Sequence, residues 1–227
     1  MTKPAQLHII DFFMTLETYE DYITAIETET LKKGSGDFRL AREAFQDATG
    51  HFEDGEPWFD VRMEMFLDWY LLDRPSQSGT TPVEQYLINY FGELSEKERS
   101  QLEYFTNTLR SVFEIIKLKG SDLWLRDLAG GGRWAVHSET PTVGFVKGDI
   151  IGTRIVYFDN KPIVGRGTVL HPRHAREAIL EIVDRAEKED MPIKELIDHL
   201  DKMRLKLDRY SNIRIQHVYR YPGDAFL

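Results

Sequence analysis

The hydrophobic spacing of this chain changes character twice, and those two changes restrict its fold more than any single motif does. In the first hundred residues apolar side chains recur at steps of three and four, as in Ile9, Phe12, Leu16, Tyr19, Ile23 and Ile26. That spacing gathers them on one face of an α-helix. From Ser111 the pattern becomes that of strands. Val112-Phe-Glu-Ile-Ile-Lys-Leu, Leu123-Trp-Leu-Arg, Arg133-Trp-Ala-Val-His, and the runs at 150–158 and 163–170 are short, β-branched or aromatic, and separated by glycine-bearing turns. After Pro172 the helical step returns through Ala175, Ile179, Ile182 and Ala186, then through Leu196, Leu200, Met203 and Leu207. The expected fold is α+β: an acidic helical array over 1–110, a small antiparallel β-barrel or curled sheet over 111–170, and C-terminal helices with a tail over 171–227.

Boundary signals refine this outline. A first helix is expected over 6–31, closed by Gly34-Ser-Gly36, with Asp37 capping a second helix and Pro57 in the first turn of a third. Thr81-Pro-Val-Glu84 and Ser95-Glu-Lys-Glu98 each set a hydroxyl three residues before a carboxylate, which predicts capping boxes for helices over 81–91 and 96–110. Asp159-Asn160 is a turn, and Gly165 and Gly167 suit bending or close approach in the fifth strand. The segment from Ile213 to Arg220 alternates apolar and polar residues, which fits an edge strand or a tail that orders on a partner.

Composition narrows the chemistry. Cysteine is absent, which removes disulfide scaffolds, thiol catalysis and thiolate metal sites. No apolar run approaches the ~20 residues of a membrane span, and Met1-Thr-Lys-Pro-Ala-Gln does not open a secretory signal, so a cytoplasmic location and no membrane partner are expected. Residues 1–120 carry 12 Lys/Arg against 22 Asp/Glu, and residues 121–227 carry 17 against 16. So acidic a first half disfavours a nucleic-acid partner. None of the seven histidines forms H-E-x-x-H; His171-Pro-Arg-His174 suits a capping and surface role, and His137 a partly buried one. Asp60, Glu64 and Asp68 recur every four residues as a charged ridge on one helix, not as a carboxylate pair across a cleft. No G-x-S-x-G elbow exists. The sequence assigns no catalytic residue, no metal and no cofactor.

Gly130-Gly131-Gly132 reads as a hairpin turn, but with its approach it forms Asp127-Leu-Ala-Gly-Gly-Gly132, which resembles the second signature of PilZ domains, D-x-S/A-x-x-G. The resemblance implies a small β-barrel that binds a cyclic dinucleotide. The R-x-x-x-R pair of that family is missing, since Arg110 is followed four positions on by Glu114 and Arg99 by Glu103. A ligand site on this reading takes Arg126, Asp127, Arg133, Arg154 and Arg166 as the polar groups that converge on a small anionic ligand. A further set, Lys202, Arg204, Lys206, Arg209, Arg214 and Arg220 with Tyr210 and Tyr219, fits single-stranded nucleic acid, or a solvated face with the acidic half as its counterpart.

A broader likeness rests on Leu67-Asp-Trp-Tyr-Leu-Leu-Asp-Arg-Pro, the Gly-Thr-Thr-Pro-Val-Glu-Gln-Tyr-Leu that follows, Leu94-Ser-Glu-Lys-Glu, Ser111-Val-Phe-Glu-Ile and Leu125-Arg-Asp-Leu. From about Phe66 to Val169 the chain resembles poorly characterised bacterial proteins that join a helical segment to a small β-barrel, some of which carry a C-terminal SEC-C zinc motif. Without cysteine, that motif does not carry over. The leading expectation is a non-enzymatic cytoplasmic protein-interaction or regulatory module with a protein partner. Its motives are the lack of an activated nucleophile or metal constellation and an aromatic content of 12% that includes Trp58, Trp69, Trp124 and Trp134. The alternatives are a PilZ-like sensor of a cyclic dinucleotide and a binder of single-stranded nucleic acid through barrel and tail.

Overall fold

A computed structural model describes residues 16–32, 35–138, 142–210 and 212–224. Five helices come first: α1 (Tyr19–Lys32), α2 (Ser35–Thr49), α3 (Phe59–Leu72), α4 (Pro82–Tyr90) and α5 (Glu96–Phe105). Six strands follow: β1 (Leu109–Lys119), β2 (Asp122–Asp127), β3 (Arg133–His137), β4 (Ile150–Phe158), β5 (Lys161–Val164) and β6 (Val169–Leu170). Helices α6 (Arg176–Lys188) and α7 (Ile193–Arg209) close the chain, so the α+β class read from periodicity holds.

Local chemistry sets most boundaries. The Asp21 N–H donates to Thr18 Oγ1 at 3.2 Å while the Thr18 N–H donates to Asp21 Oδ2 at 2.8 Å, so α1 starts at Tyr19. Residues 16–18 are therefore not helical, contrary to the expected helix over 6–31; Ile9 and Phe12 lie outside the described residues. Both capping boxes are present, at Thr81/Glu84 and Ser95/Glu98. Helix α5 stops at Phe105, and by Leu109 the chain is already strand, so the helix over 96–110 is shorter than its periodicity implied. Asp37 does not cap α2, which begins at Ser35; its carboxylate is taken by Arg74 instead. Pro57 precedes α3 without entering it.

Of the two expected forms, barrel or curled sheet, the strands take the curled sheet, with six strands instead of five and not all antiparallel. Pairing runs β1-β2-β3-β5-β4-β6, and β1 also pairs with β4, so the strands form a ring within a curled sheet. The set is mixed, because β3 meets β5 in parallel at His137 and Ile163 while the other pairs are antiparallel. Asp159 and Asn160, at φ 46° and 59°, make the two-residue turn that joins β4 to β5. The run at 163–170 divides into β5 and β6 because the backbone leaves the ladder between Gly165 and Gly167. Gly167 sits at φ +65°, and a Cβ there would lie 2.6 Å from the Met65 backbone nitrogen. This is the close approach that its glycine allowed.

Three apolar clusters hold the layers. Ile23, Phe45, Phe66, Trp69 and Phe105 centre the helical one, which Val156 and Ile163 join from the sheet. Phe113, Ile115, Leu125, Ile151 and Ile155 fill the inside of the curl. Ile179, Ile182, Leu196, Leu200 and Met203, the stripes read from sequence, pack α6 and α7 on Val112 and Ile150. The tail is no edge strand. It turns through a 3₁₀ segment at Ile215–His217 and buries Val218, Tyr219 and Tyr221 in that last cluster.

Candidate functional site

Of the acidic ridge read on α3, Asp60 and Glu64 are exposed and Asp68 alone turns inward. Asp68 is buried and accepts from Arg166 Nε at 3.0 Å, and Glu64 accepts from the Gly167 N–H at 3.0 Å. Arg166 also reaches Glu20 on α1 at 3.3 Å. From β4, buried Arg154 pairs with Asp73 and bonds Thr108. From β1, Arg110 spans Asp198 and Asp201 of α7 at 2.8 Å each, and buried Arg62 donates to the Asp201 carbonyl at 2.8 Å. Helix α3, the sheet and α7 are thus tied by charge-assisted bonds in a nearly dry interior, where such bonds are strong and an unpaired member is costly.

Burial pushes the Asp68 and Asp201 carboxyls above the usual carboxylate range, and the neighbouring guanidiniums Arg166 and Arg110 offset part of that rise. For Arg154 and Arg166 burial is the largest influence and acts downward, but the surrounding groups together outweigh it, Asp73, Asp68 and Tyr19 for Arg154 and Asp68, Tyr19 and Glu20 for Arg166, so both guanidiniums stay charged. The network encloses a cavity of about 20 Å³ between Met65, Asp68, Arg110, Gly152, Arg154 and Asp201, which is room for about one water. It cannot admit a metabolite. Beside it His171, expected at the surface, is buried with Nδ1 2.9 Å from the Tyr219 hydroxyl. Burial, and then Arg204 and Arg62, hold its pKa down at about 3, so it stays neutral. His137, by contrast, is exposed and 3.0 Å from Asp122.

The five residues assigned from sequence to a ligand site do not share one partner. Arg154 and Arg166 both face α3, where the fields of both act on Asp68. Arg126 pairs with Glu114, which Arg176 also holds at 2.7 Å. Asp127 is buried; it accepts from the Ser111 hydroxyl at 2.6 Å and from the Ala129 and Gly130 N–H groups at 3.0 Å, which shapes the glycine turn. Arg133 lies across the β2–β3 ladder from Arg126 and is exposed. The basic C-terminal residues turn partly toward the acidic half: Arg209 Nη2 is 2.8 Å from Glu56 and Lys202 Nζ is 3.2 Å from the Asp47 carbonyl.

A concavity of ligand size lies elsewhere, in the helical layer. A cleft of about 490 Å³ opens where the end of α1, the start of α2, the 76–81 loop and α4 meet over Tyr70 of α3. That volume is in the range of small-molecule sites. On one side the Asp37 carboxylate receives both Nη groups of Arg74, at 2.8 and 3.0 Å, and the Tyr70 hydroxyl at 3.1 Å. Arg74 first, and then Tyr70, hold the Asp37 carboxyl below its ordinary pKa despite burial. On the other side Gln85 Nε2 donates to Asn89 Oδ1 at 2.9 Å, next to half-buried Tyr86. Sequence reading passed over this region because its members are scattered over four helices and a loop, and those it singles out, Asp37, Thr81 and Pro82, read as helix-end signals. The buried network was hidden for another reason: Asp198 and Asp201 lie on the side of α7 away from its Leu196–Leu200–Met203 stripe, where a charged residue reads as solvent-facing.

Among the described residues no group of three or more His, Asp or Glu could hold a metal ion, and no helix is long and apolar enough to cross a membrane. Fold and site together define a class: a helical layer with a polar cleft, bound through buried ion pairs to a curled mixed sheet that two C-terminal helices back. The chain belongs to DUF7986, a family of unknown function whose model matches residues 57–214. No curated protein and no solved structure matches it.

Proposed function

We propose that this protein is a non-enzymatic, cytoplasmic regulatory module that receives a small ligand in the cleft of its helical layer and acts through a protein partner. The observation that carries this reading is the cleft: about 490 Å³ of open concavity walled by hydroxyl, amide and tyrosine side chains. The charged groups deeper in the molecule support it from the other side, since Asp68, Arg154, Arg110 and Asp201 are consumed in bonds between layers. Kinship with the bacterial proteins that join helices to a small barrel belongs to the same proposal.

The test compares the full chain with Gly36→Trp. Gly36 borders the cleft, has no left-handed backbone, and meets nothing within 4 Å of an added Cβ. An indole there has room to occupy the cleft without displacing the core. Both proteins are incubated with a small-molecule cell extract, separated, and stripped of what they hold. A compound retained by the parent and lost from the variant is expected. Equal retention by both, or retention by neither, refutes the reading.

A further inference from the structure

The charges that border the cleft are already matched inside the protein, and this limits what can enter. Asp37 is saturated by Arg74 and Tyr70. Glu29 takes Lys32 Nζ at 3.0 Å and is hydrogen-bonded by the Tyr90 hydroxyl. An anionic ligand would meet two carboxylates whose cations are spent, and a cationic ligand would have to compete for carboxylates that are already compensated. Either would lose hydration without gaining a free counter-charge. A neutral ligand loses the least.

What remains on the walls is hydrogen-bonding capacity without charge. The Gln85–Asn89 bond uses one N–H of Gln85 and leaves its second, together with both N–H groups of Asn89, for other partners. The Ser76, Ser78 and Thr80 hydroxyls bond one another in a row at 2.7 and 2.9 Å and take the Ser78 N–H at 3.3 Å, which leaves lone pairs on the row open to other donors. Tyr86, paired with Tyr90 at a centroid distance of 4.7 Å, adds an aromatic surface with a polar tip. Closely spaced amides and hydroxyls beside a ring match a molecule that alternates hydroxyl groups with a C–H or aromatic face.

We propose that the cleft binds a neutral, polyhydroxylated ring compound, either a saccharide or an uncharged nucleoside. This deepens the reading of the cleft as a ligand site and rests on it. The test titrates the isotope-labelled full chain with maltose and with adenosine, each to millimolar concentration and each beside charged counterparts: glucosamine, glucuronate and adenosine monophosphate. Backbone amide shifts are read for the wild type and for Gln85→Leu/Asn89→Leu, two surface positions of α4 that leucine suits as a helix former.

The neutral probe is expected to move amides around Asp37, Ser78 and Tyr86, and its charged counterparts to bind at least about tenfold more weakly. The double substitution is expected to weaken the neutral probe by about tenfold at unchanged Tm. Whichever of maltose or adenosine moves those amides identifies the source. A charged probe that binds the cleft as tightly as its neutral counterpart overturns the neutral class and leaves the cleft standing as a site. Shifts that the double substitution does not weaken, or no shift from any probe, overturn the cleft reading as well.

Discussion

Replacing Gly167 by alanine tests the contact on which the assembly of helices and sheet depends. Its φ is +65°, a conformation that costs a residue with a Cβ about 1 kcal/mol. The added carbon would lie 2.6 Å from the Met65 backbone nitrogen and 2.9 Å from its Cα, separations that no rotation of a side chain can relieve. The 165–167 segment must therefore draw back from α3. That movement stretches the bond from the Gly167 N–H to the Glu64 carboxylate, worth roughly 1.5–3 kcal/mol as a charge-assisted hydrogen bond. It also disturbs the neighbouring Arg166–Asp68 pair. The expected loss is about 3–5 kcal/mol, a large share of the roughly 5–15 kcal/mol that holds a typical domain.

Gly131→Ala supplies the control. Gly131 also has a left-handed backbone, φ +79°, but an added Cβ there meets nothing within 4 Å, so only the conformational cost of about 1 kcal/mol applies. Urea unfolding of both variants, followed by tryptophan fluorescence and far-ultraviolet circular dichroism, should give Gly167→Ala a lower midpoint at unchanged m, separated from Gly131→Ala by at least about 2 kcal/mol. Equal losses within about 0.5 kcal/mol would mean that α3 and the glycine segment do not meet as described, and the account of how helices and sheet join would fall.

Asp68→Asn, which leaves Arg166 short of its counter-charge beside a buried carbonyl oxygen, should cost about 3–5 kcal/mol by the same unfolding assay. The double variant Asp68→Leu/Arg166→Met should lose clearly less than its single substitutions together, and strict additivity would refute the pairing. His171 is depressed to about 3 in the folded protein from 6.5, so the unfolded chain binds its proton first and stability falls as pH drops from about 6.5 toward 3. The raised Asp68 and Asp201 act with opposite sign above 3.8. Stability measured against pH should therefore show up to about 1.4 kcal/mol per pH unit in the wild type relative to His171→Gln, and an unchanged slope would show that His171 protonates in place. Ser95→Ala removes one half of a capping box and should cost about 1 kcal/mol, read as a Tm shift, with Ser95→Asp as the variant that restores it.

Periodicity carried the class of this fold because it reports which face of each element is apolar, a local property. The stripes of α6 and α7 and the hydroxyl–carboxylate caps of α4 and α5 were legible on that ground. That the sheet curls was expected, but which strands close it was not, because that depends on the partners of β4: β4 pairs with β1 and sends β5 back beside β3, a matter of long-range register and not of local pattern. Burial of charge was hidden for a related reason. Asp60, Glu64 and Asp68 look alike at a four-residue step, yet Asp60 is exposed while Asp68 meets Arg166, 98 positions further along the chain. Arg154 and Arg166 read as groups for an anionic ligand, and the anions beside them are Asp73 and Asp68 of the protein itself.

The cleft and the buried network share one wall, and α3 shows why neither was visible as a pattern. A helix on the surface has one apolar stripe, whereas α3 buries Arg62, Phe66, Asp68, Trp69, Tyr70 and Leu71, residues that point around its whole circumference. Phe66 and Tyr70, four apart, meet Phe38 of α2, while Arg62 and Asp68 meet α7 and the loop after β5. At its end the two directions separate within two residues: Asp73 pairs with Arg154 of the sheet, and Arg74 with Asp37 at the cleft. Toward its C-terminal end α3 is buried on all sides although Asp60 and Glu64 stay exposed, so its pattern does not show which residue serves which neighbour. The division becomes readable only once the partners of Asp73 and Arg74 are known, and it makes the end of α3 the place where ion pairs to the sheet and to the cleft wall leave from adjacent residues.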